Sequence, residues 1–378
     1  MPLDLAPRSG AQSTVAPARP VATSPIPATP GPETPGPETP AQVARFPRLR
    51  YMGSKYKLVP ALNEVFHEIG GTRALDAFSG SGVVSYLLKA RGFEVTSNDF
   101  LTFPTVIARA TVANSTTTLG DDLVETICGP AADDRDFIQQ KFDGIFLSAA
   151  DRRFLDSAWS HIDRLDGFQR DVAISALVLS AARKQPRGVF TFTGTRYDDG
   201  RRDLHLSMAD HFRERVADYN ATVFDNGRSS RAVTGDVADL PADEYDIVYL
   251  DPPYAPPRDD ADYMKRYHFL EGLSVYWRGQ VIMEETKTKK IAKKFTPFAY
   301  KRTIDDALAR TFDQFRDSGA IVLSYSSNAV PGRERIAELL GQVKKHVEVR
   351  EFTHTYSFGT HATATRTAVS EYVFIGRD

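Results

Sequence analysis

Only one of the 378 residues is a cysteine, Cys128, which excludes an internal disulfide and any cysteine-rich zinc or iron–sulfur centre built from this chain alone. No metal site is expected. No apolar run is long enough to cross a bilayer, and the N-terminus lacks the basic-then-apolar order of a signal peptide. Both absences point to the cytoplasm and away from a membrane. Charge of one sign is also lacking: the net charge of -2 excludes retention on nucleic acid by bulk attraction, though not by a local basic surface. Large apolar side chains are scarce in residues 1–44, which are rich in Pro, Ala, Thr and Ser and repeat Gly31-Pro32-Glu33-Thr34-Pro35 as Gly36-Pro37-Glu38-Thr39-Pro40. Such a segment cannot repay the entropy of ordering and reads as a disordered, partly extended tail.

The remainder is long enough for one large or two modest domains with a real core. Past Gly53-Ser54, the residues Leu58, Leu62, Val65, Phe66 and Ile69 recur at spacings of three and four, which predicts an amphipathic helix with Lys55 near its start. A lysine there opposes the helix dipole unless an anion is close, so a ligand carboxylate or phosphate and a plain solvent-facing lysine are both open readings. Ala74-Leu75-Asp76 then forms a short strand that feeds the turn Ala77-Phe78-Ser79-Gly80-Ser81-Gly82 and a second helix. The next strand ends at Asp99, 23 positions beyond Asp76, where a Rossmann-like sheet can offer a carboxylate to a ribose. Ser85 stands where a dinucleotide fingerprint would have its third glycine, so a smaller nucleoside ligand fits better.

Further on, Ile247 to Leu250 has the composition of a buried parallel strand, and Asp251-Pro252-Pro253-Tyr254 ends it, since neither proline can donate to a neighbouring strand. An acid and a phenol are left at the sheet rim, where open α/β folds place their sites.

Four segments in order resemble the D12 class, Dam-like, adenine-N6 DNA methyltransferases: Arg50-Tyr51-Met52-Gly53-Ser54-Lys55, Asp76-Ala77-Phe78-Ser79-Gly80-Ser81-Gly82, Ser97-Asn98-Asp99 and Asp251-Pro252-Pro253-Tyr254. Ser54 replaces a commoner glycine, and Ala77 a commoner proline. The resemblance implies an α/β Rossmann-like fold that uses S-adenosylmethionine and carries an inserted target-recognition lobe. It places Lys55 near the donor's carboxylate, and Asp76, Gly80 and Gly82 around its methionine moiety, with Tyr51 and Phe78 beside them. It also implies Asp99 on the ribose and Asp236 on the adenine, although a turn cap is an equal reading of Asp236.

The family's chemistry assigns Asp251 and the Pro252 carbonyl as acceptors for the two N–H groups of the target amine, so that the nitrogen lone pair faces the methyl group. Pro253 completes the turn, and Tyr254 stacks on a base flipped out of the duplex. A leading Asp is typical of adenine-N6 enzymes, while cytosine-N4 and RNA enzymes, or a non-catalytic DNA-binding subunit, are the alternatives. The intact Asp251, Tyr254, Gly80 and Asp99 argue against the last. The expected partners are double-stranded DNA and a cognate restriction endonuclease, with the chain a monomer or weak dimer.

The expected divisions are the tail at 1–44, a cofactor-binding part at 45–120, an inserted target-recognition region at 121–230 and the catalytic part at 231–378. Within the insert, Val172 to Ala182 reads as a buried helix, followed by a basic turn and an aromatic strand at Val189-Phe190-Thr191-Phe192. Arg187 and Arg196 are candidates to read base edges or hold phosphates. Later, Thr286 to Arg302 holds Lys289, Lys290, Lys293 and Lys294, interleaved with Phe295, Phe298 and Tyr300 and with no acidic residue. That pattern predicts a phosphate-contacting surface. His268 reads equally as a substrate contact or as helix packing. Strands are expected at 320–328, 347–356 and 371–375.

Overall fold

The computed structural model describes residues 37–378 apart from 186–187, 192, 194–197, 199, 243–244, 256–262 and 358–365. Residues 1–36 of the expected tail, together with Arg187 and Arg196, lie outside the described residues.

Seven strands build one sheet: β1 (Arg73–Asp76), β2 (Glu94–Asp99), β3 (Arg231–Thr234), β4 (Ile247–Leu250), β5 (Ala320–Ser326), β6 (His346–Ser357) and β7 (Arg366–Arg377), in the spatial order β3-β2-β1-β4-β5-β7-β6. The first five are parallel, and β7 inserts antiparallel between β5 and β6. The parallel strands are short and apolar because both of their faces are covered. Alternate side chains enter two separate cores: Ala74, Ile247, Tyr249 and Val322 pack on one side, and Leu75, Val248, Leu250, Ile321 and Leu323 on the other.

This is a doubly wound, Rossmann-like sheet, and its order reverses at β1, which pairs with β2 on one side and β4 on the other. A crevice opens beyond the strand ends at such a switch point. Asp76 closes β1 and Asp251 follows β4 directly, so the two acids meet at the same edge.

Helices α1 (Val59–Ile69), α2 (Val83–Ala90) and α3 (Thr102–Ala108) belong to the first half. The helix expected from Leu58 onward is α1, and Lys55 sits just before it in a 3₁₀ turn over Lys55–Lys57. The folded unit begins at Pro37, so residues 37–44 are part of it: Val43 and Phe46 are buried, and the Pro37 carbonyl accepts a hydrogen bond from Asn63 Nδ2 at 2.7 Å.

Region 121–230 contributes α4 (Asp121–Cys128), α5 (Phe137–Lys141), α6 (Ala149–Ile162), α7 (Gly167–Arg183), α8 (Arg202–His205) and α9 (Met208–Asn220). The buried run 172–182 lies in α7, whose Val172, Leu177 and Leu179 share one apolar core with α3 and with α10 (Tyr263–Val275). Of the aromatic strand expected after the basic turn, the described residues Val189, Phe190 and Thr191 are not in a strand, and Phe192 lies outside the described residues. Phe190 is instead a buried plug that stacks on Phe269 of α10 at 4.5 Å, held by Phe190 N donating to the Arg266 carbonyl at 3.1 Å. The last helices, α11 (Ile304–Gln314) and α12 (Arg333–Gly341), cover the other face of the sheet. Among the described residues, no helix is long and apolar enough to cross a membrane, and no cluster of His, Cys, Asp or Glu is arranged to hold a metal ion.

Candidate active site

At the switch point lies a cavity of about 900 Å³, counting its open mouth, whose walls include four groups of residues. The glycine turn gives Phe78, Ser79, Gly80 and Ser81, and the strand ends give Asp76, Asp99, Asp251 and Pro253. Tyr51 to Lys55 form a third wall, and Lys293, Lys294, Thr296 and Ala299 a fourth.

The turn is left-handed at Gly80, with φ +49°, and a Cβ there would stand 2.9 Å from Tyr51 Cε1. Glycine is therefore required both for the backbone and for the close approach of the aromatic ring. Gly82, at φ +84°, does not line the cavity; it sets the turn that starts α2. Asp99 braces the turn: its Oδ2 accepts from Gly80 N and its Oδ1 from Leu101 N, each at 2.8 Å. Burial pushes its carboxyl up to about 6, against the pull of those backbone donors.

Ser85, which breaks the dinucleotide fingerprint, has its own task. Its hydroxyl donates to Asp76 Oδ2 at 2.6 Å and lies 2.8 Å from Ser97 Oγ. Burial raises the Asp76 carboxyl to about 7, and Ser85 opposes that rise. The second oxygen, Asp76 Oδ1, is buried with no hydrogen-bond partner, and so is Ser79 Oγ. Two orphaned polar atoms on the wall of one cavity are a polar ligand's natural contacts.

Tyr51 stacks on Tyr267 with ring centroids 4.8 Å apart, and Tyr267 OH accepts from Met52 N at 2.7 Å. Tyr263 and Phe103 complete this aromatic wall.

Lys55 is neither solvent-facing nor a simple surface charge. It is 5% exposed, and its Nζ donates to the Gly53 carbonyl at 2.6 Å and pairs with Asp251 Oδ1 at 2.7 Å. Asp251 Oδ1 also accepts from Tyr254 OH at 2.9 Å. Burial lifts the Asp251 carboxyl to about 6, with the Lys55 charge opposing the shift and Glu371 adding to it. Tyr254 itself lies behind Asp251, its ring edge-on to Tyr325 at 4.9 Å, and burial raises its hydroxyl well above the ordinary tyrosine range. Pro252 is buried.

The basic stretch divides. Lys293 and Lys294 reach the cavity; Lys294 Nζ is 3.7 Å from Glu271 Oε1, and Lys293 stands over the Tyr300 ring at 5.0 Å. Glu271 is fully buried and caps α3, accepting from Thr102 N at 2.8 Å and Phe103 N at 3.1 Å. Lys289 and Lys290 stay away from the cavity lining, on the hairpin whose Ile282 and Ile291 form a β-bridge. Phe295 is 63% exposed and stacks on Tyr300 at 5.5 Å.

Asp236 does not line the cavity. Its Oδ1 accepts from Ala238 N at 3.0 Å and caps a short 3₁₀ turn, which is the second of its two sequence readings. His268 is buried, 2.8 Å from the Phe190 carbonyl through Nε2, with burial lowering its ring to about 4; it packs α10. Glu371 of β7 was not foreseen as part of the site. The signal was an acid heading the apolar run Tyr372 to Ile375, on an antiparallel strand whose early residues return to the edge where β5 ends.

The family description D12 class N6 adenine-specific DNA methyltransferase matches residues 51–300 of this chain. Type II methyltransferase M2.HphI of Haemophilus parahaemolyticus is 26% identical over 338 residues, covering 82% of this chain and 93% of the relative. Modification methylase StsI of Streptococcus sanguinis is 25% identical across 77% of this chain. Modification methylase LlaI of Lactococcus lactis subsp. lactis is 23% identical, also across 77%. Those last two proteins are longer, and the alignments take in 46% and 48% of them.

Proposed function

Because this chain belongs to the D12 class N6 adenine-specific DNA methyltransferases, we propose that it moves a methyl group from S-adenosylmethionine to the N6 amine of an adenine turned out of duplex DNA, with Asp251 accepting an N–H of that amine. The observation that carries the reading is the placement of Asp251 on the same cavity wall system as Asp76, Ser79, Gly80 and Asp99, with its carboxylate held by Lys55 and Tyr254.

The donor half of the cavity fits such a cofactor. Asp76 Oδ1 and Ser79 Oγ are buried and unpartnered, and the Gly80 turn admits a group where a side chain would collide with Tyr51. Asp76, Ser79 and the Gly80 turn would hold its methionine end, Asp99 its ribose, and Tyr51 and Phe78 its apolar surfaces. Bound there, S-adenosylmethionine supplies a methyl group activated by its sulfonium.

The residues of this chain do the rest by position and charge. Asp251 presents a carboxylate, and the Pro252 carbonyl is the second acceptor; together they orient the amine so that its lone pair points at the methyl group. Their negative ends also stabilise the positive charge that grows on nitrogen in the transition state. The aromatic wall of Tyr51, Tyr263 and Tyr267 and the Lys293–Ala299 stretch exclude water from the reacting atoms.

For DNA, Lys289, Lys290, Lys293 and Lys294 are proposed phosphate contacts, with Arg187 and Arg196 as further contacts to phosphates or base edges. The exposed Phe295 within this basic run supports an aromatic surface for nucleobases at the cavity mouth. The names of the relatives support a role as the modification enzyme of a restriction-modification system, alongside a cognate endonuclease.

Incorporation of labelled methyl groups into duplex DNA, followed by nucleoside analysis, tests the reading. N6-methyladenine is expected; label found only in N4-methylcytosine or in RNA would reject it.

A further inference from the structure

Beside Asp251 stands a second carboxylate that neither the tetrapeptide nor the glycine turn accounts for. Glu371 is 5% exposed and enters on β7, directly opposite Ser326 at the C-terminal end of β5. A carboxylate this deep needs donors, and among the described residues it meets the Tyr254 hydroxyl and Lys55 Nζ, the latter at 3.4 Å. Both also stand against Asp251 Oδ1, at 2.9 Å and 2.7 Å, the single Tyr254 proton lying between the two carboxylates. Lys55 also donates to the Gly53 carbonyl, so its ammonium bridges Gly53, Asp251 and Glu371.

Both contacts fall on Asp251 Oδ1, so an amine N–H that takes that oxygen meets Lys55 and Tyr254 already there. Resting on the methyl-transfer reading above, we propose that Glu371 is a positioning residue: it takes over Lys55 and the Tyr254 hydroxyl when the target amine engages Asp251. The acceptor is then released to the substrate while the ammonium and the phenol stay in place. Only hydrogen bonds are exchanged. Two carboxylates and one ammonium also leave a net negative charge beside a nitrogen that becomes cationic during transfer. Without the charge on Glu371, Lys55 loses the anion it shares with that strand and is held more tightly by Asp251.

The groups facing this pair come from every side of the site: Lys55 from the 3₁₀ turn, Tyr249 and Tyr254 from β4 and its exit, Asp76 from β1, and Tyr51 and Tyr263 from the aromatic wall. Glu371 raises the Asp251 carboxyl, so its neutralisation lowers that carboxyl's midpoint.

The test uses the full chain as wild type, Glu371→Gln and Glu371→Asp. Gln keeps an acceptor for Tyr254 and loses the charge; Asp keeps the charge on a shorter arm. Single-turnover methylation of duplex DNA is expected to fall on the order of tenfold or more in Glu371→Gln, a shift corresponding to one or more pK units of lost interaction, and less in Glu371→Asp. Donor affinity stays at the wild-type value in both. A second readout is independent of catalysis: the Asp251 carboxyl, followed by ¹³Cγ-aspartate NMR in the ligand-free protein and assigned with Asp251→Asn, titrates at lower pH in Glu371→Gln. Gln methylating as fast as Asp, or an unmoved Asp251 midpoint, would overturn the proposal. A wild type that methylates nothing would instead remove the methyl-transfer reading on which it rests.

Discussion

Lys55 Nζ lies 2.7 Å from Asp251 Oδ1, joining the first sequence segment of the site to the last across 196 positions of chain. The pair is largely buried, at 5% and 18% side-chain exposure, so the lysine charge is what keeps the acid ionised near neutral pH.

Lys55→Met follows from that relationship. Removing one partner of a buried pair leaves Asp251 uncompensated and costs on the order of 3 kcal/mol, limited by protonation of the acid. Since Lys55 holds the Asp251 carboxyl down and burial lifts it to about 6, the variant's midpoint moves higher. The wild-type kcat/KM is expected to fall as pH drops through about 6, where the acceptor is lost to protonation. In the variant the fall begins at higher pH, and activity at pH 9 recovers relative to pH 7. A pH profile that keeps the wild-type acid limb in Lys55→Met would contradict this account.

Gly80→Ala tests the turn. A Cβ at 2.9 Å from the Tyr51 ring and a backbone at φ +49° both oppose alanine. The left-handed conformation alone costs about 1–2 kcal/mol. Donor affinity, read by isothermal titration calorimetry, is expected to weaken by about tenfold or more, equivalent to ~1.4 kcal/mol. The fold itself is retained, since the neighbouring β1 and β2 ladders do not involve this residue. Unchanged donor binding would show that the approach of Tyr51 to the turn is incidental.

Asp76→Asn isolates one buried acid. Its folded carboxyl sits at about 7, above the ordinary value of 3.8, so the native state binds the proton more tightly than the unfolded chain. Stability from this group is therefore highest below about 4 and declines as pH rises towards 7. Asparagine has no such titration. The unfolding free energy of Asp76→Asn relative to wild type, from urea melts, should grow between pH 5 and pH 8; a difference that stays flat would place Asp76 in a more polar setting than its burial indicates.

The sequence allowed the frame of the site to be read because each wall is a strand end with a distinctive residue: Asp76 on β1, Asp99 on β2, Asp251 on β4. Short apolar runs placed those strands, and the glycine turn placed the cavity between them. What could not be read lies where chain segments remote in sequence meet. Lys55 was open between a ligand contact and a solvent-facing charge because its partners, Asp251 and Glu371, arrive about 200 and 316 residues later. Glu371 was invisible for the same reason, since only the antiparallel return of β7 brings it to the edge. Phe190 misled because an aromatic run after a basic turn has strand composition, whereas Phe190 itself is a plug against α10. The lysines of the 286–302 stretch read as one charged surface, but their spacing on an irregular segment sends Lys293 and Lys294 to the cavity and leaves Lys289 and Lys290 on the hairpin.

The central claim, that Asp251 is the acceptor for an adenine amine, is tested most directly by digesting duplex DNA after incubation with labelled donor and wild type or Asp251→Ala protein. The account predicts labelled N6-methyladenine from wild type and none above background from Asp251→Ala, with donor affinity in the variant changed by less than about threefold. Turnover in Asp251→Ala close to that of wild type would contradict it.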